Sequence, residues 1–318
     1  MLETANLSDY QRAMKEIKRE FDLLVEPYRP ALWRYCLMTT GSPWDAEDLV
    51  QETLLKAYGA IARLVQPVVT KAYLFRIATN TWINIQKKQQ PVLKELVELE
   101  YSLEEPYYHE TREAMETLVQ HLPPRQRVVV LLCDVFDFTG NEIAEIIGTT
   151  EGAVKQMLYR ARTSLKKARE VPLSEVPGQE TLTKGQQRTV ESYIEAFNRR
   201  DPDAIARLMD ENVVNDIVHT SVEHGKDIVR KHSLEGWAND PKPMKGYLKY
   251  LWNQPTIVVL TEFEGKETLY DLIQLEIEES LIMKKRDYYF CNDLLEKAAK
   301  ELGISAHLNG YIYQGKDT

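Results

Sequence analysis

The sequence contains no run of eighteen apolar residues, which excludes an ordinary transmembrane helix. Cysteine is scarce: Cys36, Cys133 and Cys291 are odd in number and far apart. That usage suits buried thiols in a reducing compartment better than a disulfide framework, and it lacks the close pairing of a zinc site. The first thirty residues mix acids with bases around no apolar signal core, so a cytoplasmic location is expected. There is no internal repeat and no low-complexity tract. Positive charge is also short, with 40 Lys and Arg against 49 Asp and Glu, a net charge of −9. Such a balance argues against a protein that coats nucleic acid non-specifically.

What is present is unevenly spread. Residues 71 to 90 hold four bases and no acid, whereas residues 91 to 120 hold two bases and eight acids. At 318 residues the chain is long enough for two or three domains. Amphipathic periodicity predicts helices over 12–38, 44–62 and 70–88, the second entered through Pro43. The acidic stretch ELVELEYSLEEPYYHE (95–110) reads as a linker, and helices resume at 111–121 and 124–136.

Residues 142 to 167, EIAEIIGTTEGAVKQMLYRARTSLKK, read as helix, tight turn, helix. Thr139 stands three residues before Glu142, the spacing of a capping box. Gly148 can take the left-handed conformation that ends the first helix, and Thr150 can cap the second. Val154, Met157, Leu158, Ala161 and Leu165 make a packing stripe along that second helix, and six Lys or Arg against two acids fall between Glu151 and Glu170. A basic outer face after such a turn is what a major-groove reader requires, although a generic helical hairpin has the same outline.

Two separated blocks then carry a family resemblance. DAEDLVQETLLKAY (45–58) with AYLFRIATNTWINIQKK (72–88), and LPPRQRVVVLLCDVFDFTGNEIAEIIGTTEGAVKQMLYRARTSLKK (122–167), resemble the extracytoplasmic-function (ECF) group of bacterial RNA polymerase sigma factors. The resemblance implies that Asp45, Glu47, Asp48, Gln51 and Glu52 face the clamp helices of the polymerase β′ subunit, with the β subunit as a further partner. It implies that Arg76, Asn80, Trp82, Asn84, Lys87 and Lys88 meet the promoter −10 element, while the sequence alone reads Trp82 equally well as a core tryptophan. Many relatives have Asp where Asn84 stands, which removes a charge and adds a donor. It implies that Glu151, Lys155, Gln156, Tyr159 and Arg160 read the −35 element, while Arg125, Arg127, Arg162, Lys166 and Lys167 touch its backbone. The residue types suit these roles: rings stack on unpaired bases, Lys and Arg donate to guanine edges or phosphate, and Gln pairs with adenine.

After a Pro- and Gly-containing stretch at 171–185 the texture changes. Helices are expected at 186–200, 202–210 and 291–302, around strand-like runs at 247–263 and 267–290. Ile273, Leu275 and Ile277 alternate with Gln274, Glu276 and Glu278, a strand with one wet face. This part resembles the SnoaL-like branch of the cone-shaped NTF2-like fold. The expected architecture is therefore multidomain: two all-α sigma domains, the second with a helix-turn-helix, then an α+β NTF2-like cone. Its segments are a sigma region 2 domain (1–92), an acidic linker (93–112), a sigma region 4 domain (113–170), a linker (171–185) and the cone (186–318). Trp237, Tyr247, Trp252 and Tyr270 are candidate pocket residues for a small-molecule ligand. Asp216, His219, His224, Asp227 and His232 form neither a metal set nor a catalytic triad.

The resulting expectation is a non-enzymatic, cofactor-free and metal-free protein. It would bind core RNA polymerase and promoter DNA and direct initiation under the control of its C-terminal domain. Two alternatives stand beside it: a helix-turn-helix regulator that is not a polymerase subunit, and an enzyme or ligand-binding protein acting through the cone.

Overall fold

The computed structural model describes Ala13 and residues 16–61, 69–89, 122–168 and 181–310. The predicted helix at 111–121, the linker at 93–112 and the first ten residues of the 171–185 stretch lie outside the described residues. The chain divides into two compact units, Met1–Ser174 and Glu175–Thr318.

Among the described residues the first unit is all-helical. A helix over 16–25 (α1) runs through a 3-10 turn at Glu26–Tyr28 into α2 (Arg29–Thr40), so the single helix expected over 12–38 is two joined segments. Pro27 and Pro30 stand at the junction, where proline interrupts the hydrogen-bond ladder. Gly41, at φ 83°, ends α2, and α3 (Pro43–Ile61) and α4 (Lys71–Gln89) complete a bundle. Its centre is apolar: Leu32, Tyr35, Cys36, Met38, Leu74, Phe75 and Ala78 are buried. The Tyr35 hydroxyl and the Thr79 hydroxyl satisfy each other at 2.6 Å.

The second helical half holds α5 (Pro124–Val130), α6 (Gly140–Ile147) and α7 (Glu151–Ala168). A wide turn at Leu131–Val135, closed by Phe136 N–H to the Leu131 carbonyl at 3.1 Å, follows α5. It delivers Phe136 and Phe138 against the first half. The Phe136 ring lies 5.6 Å from Tyr35 and 5.1 Å from Phe75, and the Phe138 ring 5.4 Å from Phe75. The two expected helical domains thus share one core, because aromatic side chains from both are buried together.

The second unit is α+β, as expected. Its sheet runs β2 (Ser221–His224), β1 (Met209–Ile217), β6 (Leu281–Asp287), β5 (Lys266–Glu278), β4 (Gln254–Phe263) and β3 (Met244–Leu251), with β7 (Ser305–Ala306) also pairing β5. Most pairings are antiparallel; β1–β6 and β5–β7 are parallel. Register shifts in β4–β5 and β5–β6 bend the sheet. Trp252 and Asn253, both at positive φ, close a two-residue hairpin.

Helices α8 (Lys184–Asn198), α9 (Pro202–Arg207), α10 (Lys226–Val229) and α11 (Glu235–Ala238) cover one sheet face. Tyr193, Phe197, Ile205, Val229, Leu234, Ile257, Val259 and Ile273 form that core. Helix α12 (Asn292–Leu302) buries Leu294, Leu295, Ala298 and Ala299 and packs on β5. The alternation at 273–278 holds, while residues 268–273 are buried on both faces.

Candidate nucleic-acid interface

Helix α7 is presented by its turn. Thr139 Oγ1 accepts from Glu142 N–H at 3.4 Å, and Glu142 Oε2 accepts from Thr139 N–H at 2.8 Å. The Thr139 N–H, with the Thr139 hydroxyl donating to the same Oε2 at 2.7 Å, stabilises the Glu142 carboxylate and holds its pKa below the usual value. Gly148, at φ 67°, ends α6 in the left-handed region, and Thr150 Oγ1 accepts from Ala153 N–H at 3.3 Å to start α7. Val154, Leu158, Ala161 and Leu165 are buried, with Met157 half-buried beside them. The opposite face is open: Lys155, Gln156, Arg160 and Lys166 are exposed.

The remaining expected −35 residues fall into different settings. Glu151 is half-buried and pairs with Lys155 at 2.8 Å, Tyr159 is half-buried, and Arg125 is exposed in the first turn of α5. Arg162 is engaged within the unit, donating to Asp134 at 2.8 and 3.3 Å. Arg127 is turned inward. Its guanidinium donates to the Thr39 carbonyl at 2.7 Å and lies 5.3 Å from the centre of the Trp82 ring. Burial lowers its pKa. The Lys167 side chain lies outside the described residues.

On α4, Arg76, Asn80, Asn84, Lys87 and Lys88 are exposed. The first four recur at three- and four-residue spacing and therefore form one stripe. Arg76 stands 3.8 Å from Glu145. Trp82 takes the core position rather than the open one: it is 3% exposed, beneath Arg127. On α3, Asp45, Asp48 and Glu52 are exposed and Gln51 is half-buried. Glu47 is instead 2% exposed and accepts from the Trp33 indole N–H at 2.8 Å.

Lys71 carries no distinguishing signal in the sequence, where it reads as one more base before a helix. Its ammonium donates to the Phe136 carbonyl at 3.1 Å. It also stands 5.6, 5.7 and 5.1 Å from the ring centres of Phe75, Phe136 and Phe138.

In the second unit, the four candidate pocket residues do not line one cavity. Trp237 stacks on Phe197 at 4.6 Å, and the Tyr270 hydroxyl meets that of Tyr289 at 2.9 Å. Tyr247 is exposed on the outer face of β3, since its neighbour Gly246 faces Phe197 and Ile257. Trp252 sits in the β3–β4 turn.

The sheet interior instead gathers groups that strand alternation alone did not reveal. Lys285 Nζ bonds to Asp287 and, at 3.3 Å, to Asn215 Oδ1. Asp271 faces the same cluster; burial, then the Asp287 charge, push its carboxyl well above the ordinary range. The buried Tyr193 phenol is raised by burial and by the Asp287 and Asp271 charges.

Comparisons with known proteins divide along the same line. Residues 24–91 match the family Sigma-70 region 2, and residues 112–165 match Sigma-70, region 4. The chain is 34% identical over 223 residues to ECF RNA polymerase sigma factor SigG of Mycobacterium tuberculosis, covering 61% of this chain and 60% of that protein. It thus spans about three fifths of that relative's length. It is 30% identical over 152 residues to RNA polymerase sigma-E factor of Streptomyces avermitilis, covering 46% of this chain and 83% of that protein. Among solved structures, M. tuberculosis extracytoplasmic function sigma factor SigJ aligns over 82% of this chain and 94% of its own, at 18% identity and TM-score 0.33.

Proposed function

This chain belongs to the extracytoplasmic-function RNA polymerase sigma factors, and on that premise we propose that it binds core RNA polymerase and directs promoter recognition and transcription initiation. The observation that carries the reading is the pairing of two surfaces in one helical unit. One is the capped helix α7, offering Lys155, Gln156 and Arg160; the other is the acid-free stripe of α4.

In this role the chain performs no bond chemistry, and the polymerase adds nucleotides. Lys155, Gln156 and Arg160 supply the donors and paired amide that major-groove edges require, and Lys166 and Arg125 neutralise phosphate. Asn80, Asn84, Lys87 and Lys88 track the −10 strand. Asp45, Asp48 and Glu52 are the acidic docking face for the β′ clamp helices. The second unit acts as a control module on these helical surfaces.

The test is reconstituted transcription from a promoter carrying both elements. Lys155→Ala with Arg160→Ala should lower −35-dependent output by roughly one and a half to four orders of magnitude, since each lost base contact costs about 1–3 kcal/mol. Unchanged output would remove α7 from promoter reading.

A second reading applies to the second unit alone: a small-ligand module whose polar groups are Tyr193 and Asp271. The buried Tyr193 phenol and the Asp271 carboxyl, both pushed upward by burial and the Asp287 charge, are the polar groups that favour it. Tyr193→Phe should abolish ligand-induced thermal stabilisation if that module operates.

A further inference from the structure

Strand β3 lies at one end of the sheet and pairs only with β4 among the described residues. The two-residue turn at Trp252 and Asn253 fixes which of its backbone groups face that partner. In such a hairpin the closing pair, Leu251 and Gln254, exchanges hydrogen bonds, and bonded pairs recur at every second residue. Lys249, Tyr247 and Lys245 therefore bond to β4, while the N–H and C=O of Tyr250, Leu248 and Gly246 point away from it.

Two observations agree with this alternation. Pro255, opposite Tyr250, has no N–H to give. Gly246 turns to a side chain instead: its N–H donates to Asn198 Oδ1 at 2.8 Å, and its carbonyl accepts from Asn198 Nδ2 at 3.1 Å. The Asn198 amide thus stands where a neighbouring strand would, and it closes the edge at Gly246. Past that point Leu248 and Tyr250 each present a donor and an acceptor on the open side.

The side chains restrict what could pair there. Lys245, Tyr247 and Lys249 are exposed on the outer face, and their cross-strand neighbours on β4 are Leu260, Val258 and Thr256, none of them an acid. The strand itself holds two lysines and no acid. A second copy is a poor match: antiparallel pairing through Leu248 or Tyr250 sets Lys249 opposite or diagonal to its counterpart, and lysine on an edge strand opposes self-pairing. A strand with acids at those positions is attracted instead. On the other pleat, half-buried Leu248 and Tyr250, 41% exposed, suit apolar neighbours.

We propose that the open edge of β3 is a docking site for an extended acidic segment of a partner protein, with aspartate or glutamate alternating with apolar residues, which adds to the sheet as a further strand. Main-chain bonds at Leu248 and Tyr250 attach it, and Lys245 and Lys249 select its charge. The site lies wholly within the second unit and does not depend on the sigma-factor reading.

The probe is an acetylated peptide of alternating glutamate and valine, added to the full chain. Amide hydrogen exchange read by NMR should slow at least about fivefold at Leu248 and Tyr250, and stay unchanged at Tyr247 and Lys249, whose N–H groups already bond to β4. Fluorescence anisotropy should show this peptide binding at least about tenfold tighter than its lysine–valine counterpart, since opposite charges across a strand pair attract and like charges repel. N-methylation of the valines removes the donors that face Leu248 and Tyr250 and should abolish binding. Lys245→Glu with Lys249→Glu, both at exposed side chains, should reverse the ranking of the two peptides.

Unchanged exchange at Leu248 and Tyr250 with the glutamate peptide in large excess overturns the edge site. Equal affinity for the two peptides, or undiminished binding of the N-methylated one, overturns the acidic-strand chemistry. Slowing of the same amides with protein concentration alone assigns the edge to a second copy and overturns the proposal. Tighter binding of oligothymidylate than of the glutamate peptide, lost in the double variant, makes the lysines a nucleic-acid contact and overturns it as well.

Discussion

Replacing Lys285 by Met keeps most of the side-chain volume and removes the cation of the interior cluster described above. Lys285 is 5% exposed and its ammonium serves both Asp287 and Asn215. Without it, Asp287 and Asp271 face each other across adjacent strands in an apolar interior. Breaking a buried ion pair by removing one partner costs about 3–5 kcal/mol. Against a typical domain stability of about 5–15 kcal/mol and a urea slope of about 1–3 kcal/mol/M, the midpoint should fall by about 2 M.

Hydrogen exchange across β5 and β6 in a urea series resolves the second unit from the first. The double variant Lys285→Met/Asp287→Leu should recover most of the loss, since a buried pair is often no better than an apolar replacement. A single variant that loses under about 1 kcal/mol, or a double no more stable than the single, would refute the assignment of Lys285 as the compensating charge.

The remaining expectations concern pH and the turn. Asp271 has a folded pKa raised above its ordinary 3.8, so the folded state keeps a proton that the unfolded state releases. Its contribution is therefore fully present below about pH 4 and is lost as pH rises toward the folded value. Asp271→Asn should accordingly stabilise the second unit at neutral pH and have little effect near pH 3, as read by denaturation at the two pH values. Gly148→Ala meets no atom within 4 Å but must hold φ 67°, so it should cost about 1–2 kcal/mol through backbone strain alone. Calorimetry of the first unit's transition checks this, and Gly148→Asn should cost less.

Much of the helical unit was legible because its signals are local. The capping box at Thr139 and Glu142, the left-handed Gly148 and the stripe from Val154 to Leu165 each depend on neighbours a few turns away at most, and all appear as read. Alternation also located the wet face of β5. The inward turns of Glu47 and Arg127 were not legible, because their partners Trp33 and Thr39 stand 14 and 88 residues away. Lys71 was missed for the same reason: its carbonyl acceptor stands 65 positions further on.

Strands β1 and β2 and the helical turns at 226–238 escaped notice because short elements carry too few periods to register. The aromatic pocket expected from Trp237, Tyr247, Trp252 and Tyr270 rested on residue type. The sheet's pleat sends Tyr247 to the outer face and a hairpin takes Trp252. Composition could not predict either placement.

Start-site mapping with purified core RNA polymerase and a promoter library addresses the central claim most directly. Transcripts beginning at defined positions downstream of shared −35 and −10 elements should appear only when the full chain is added. Identical start sites with and without the chain, or binding to duplex DNA with no complex to core polymerase, would contradict it.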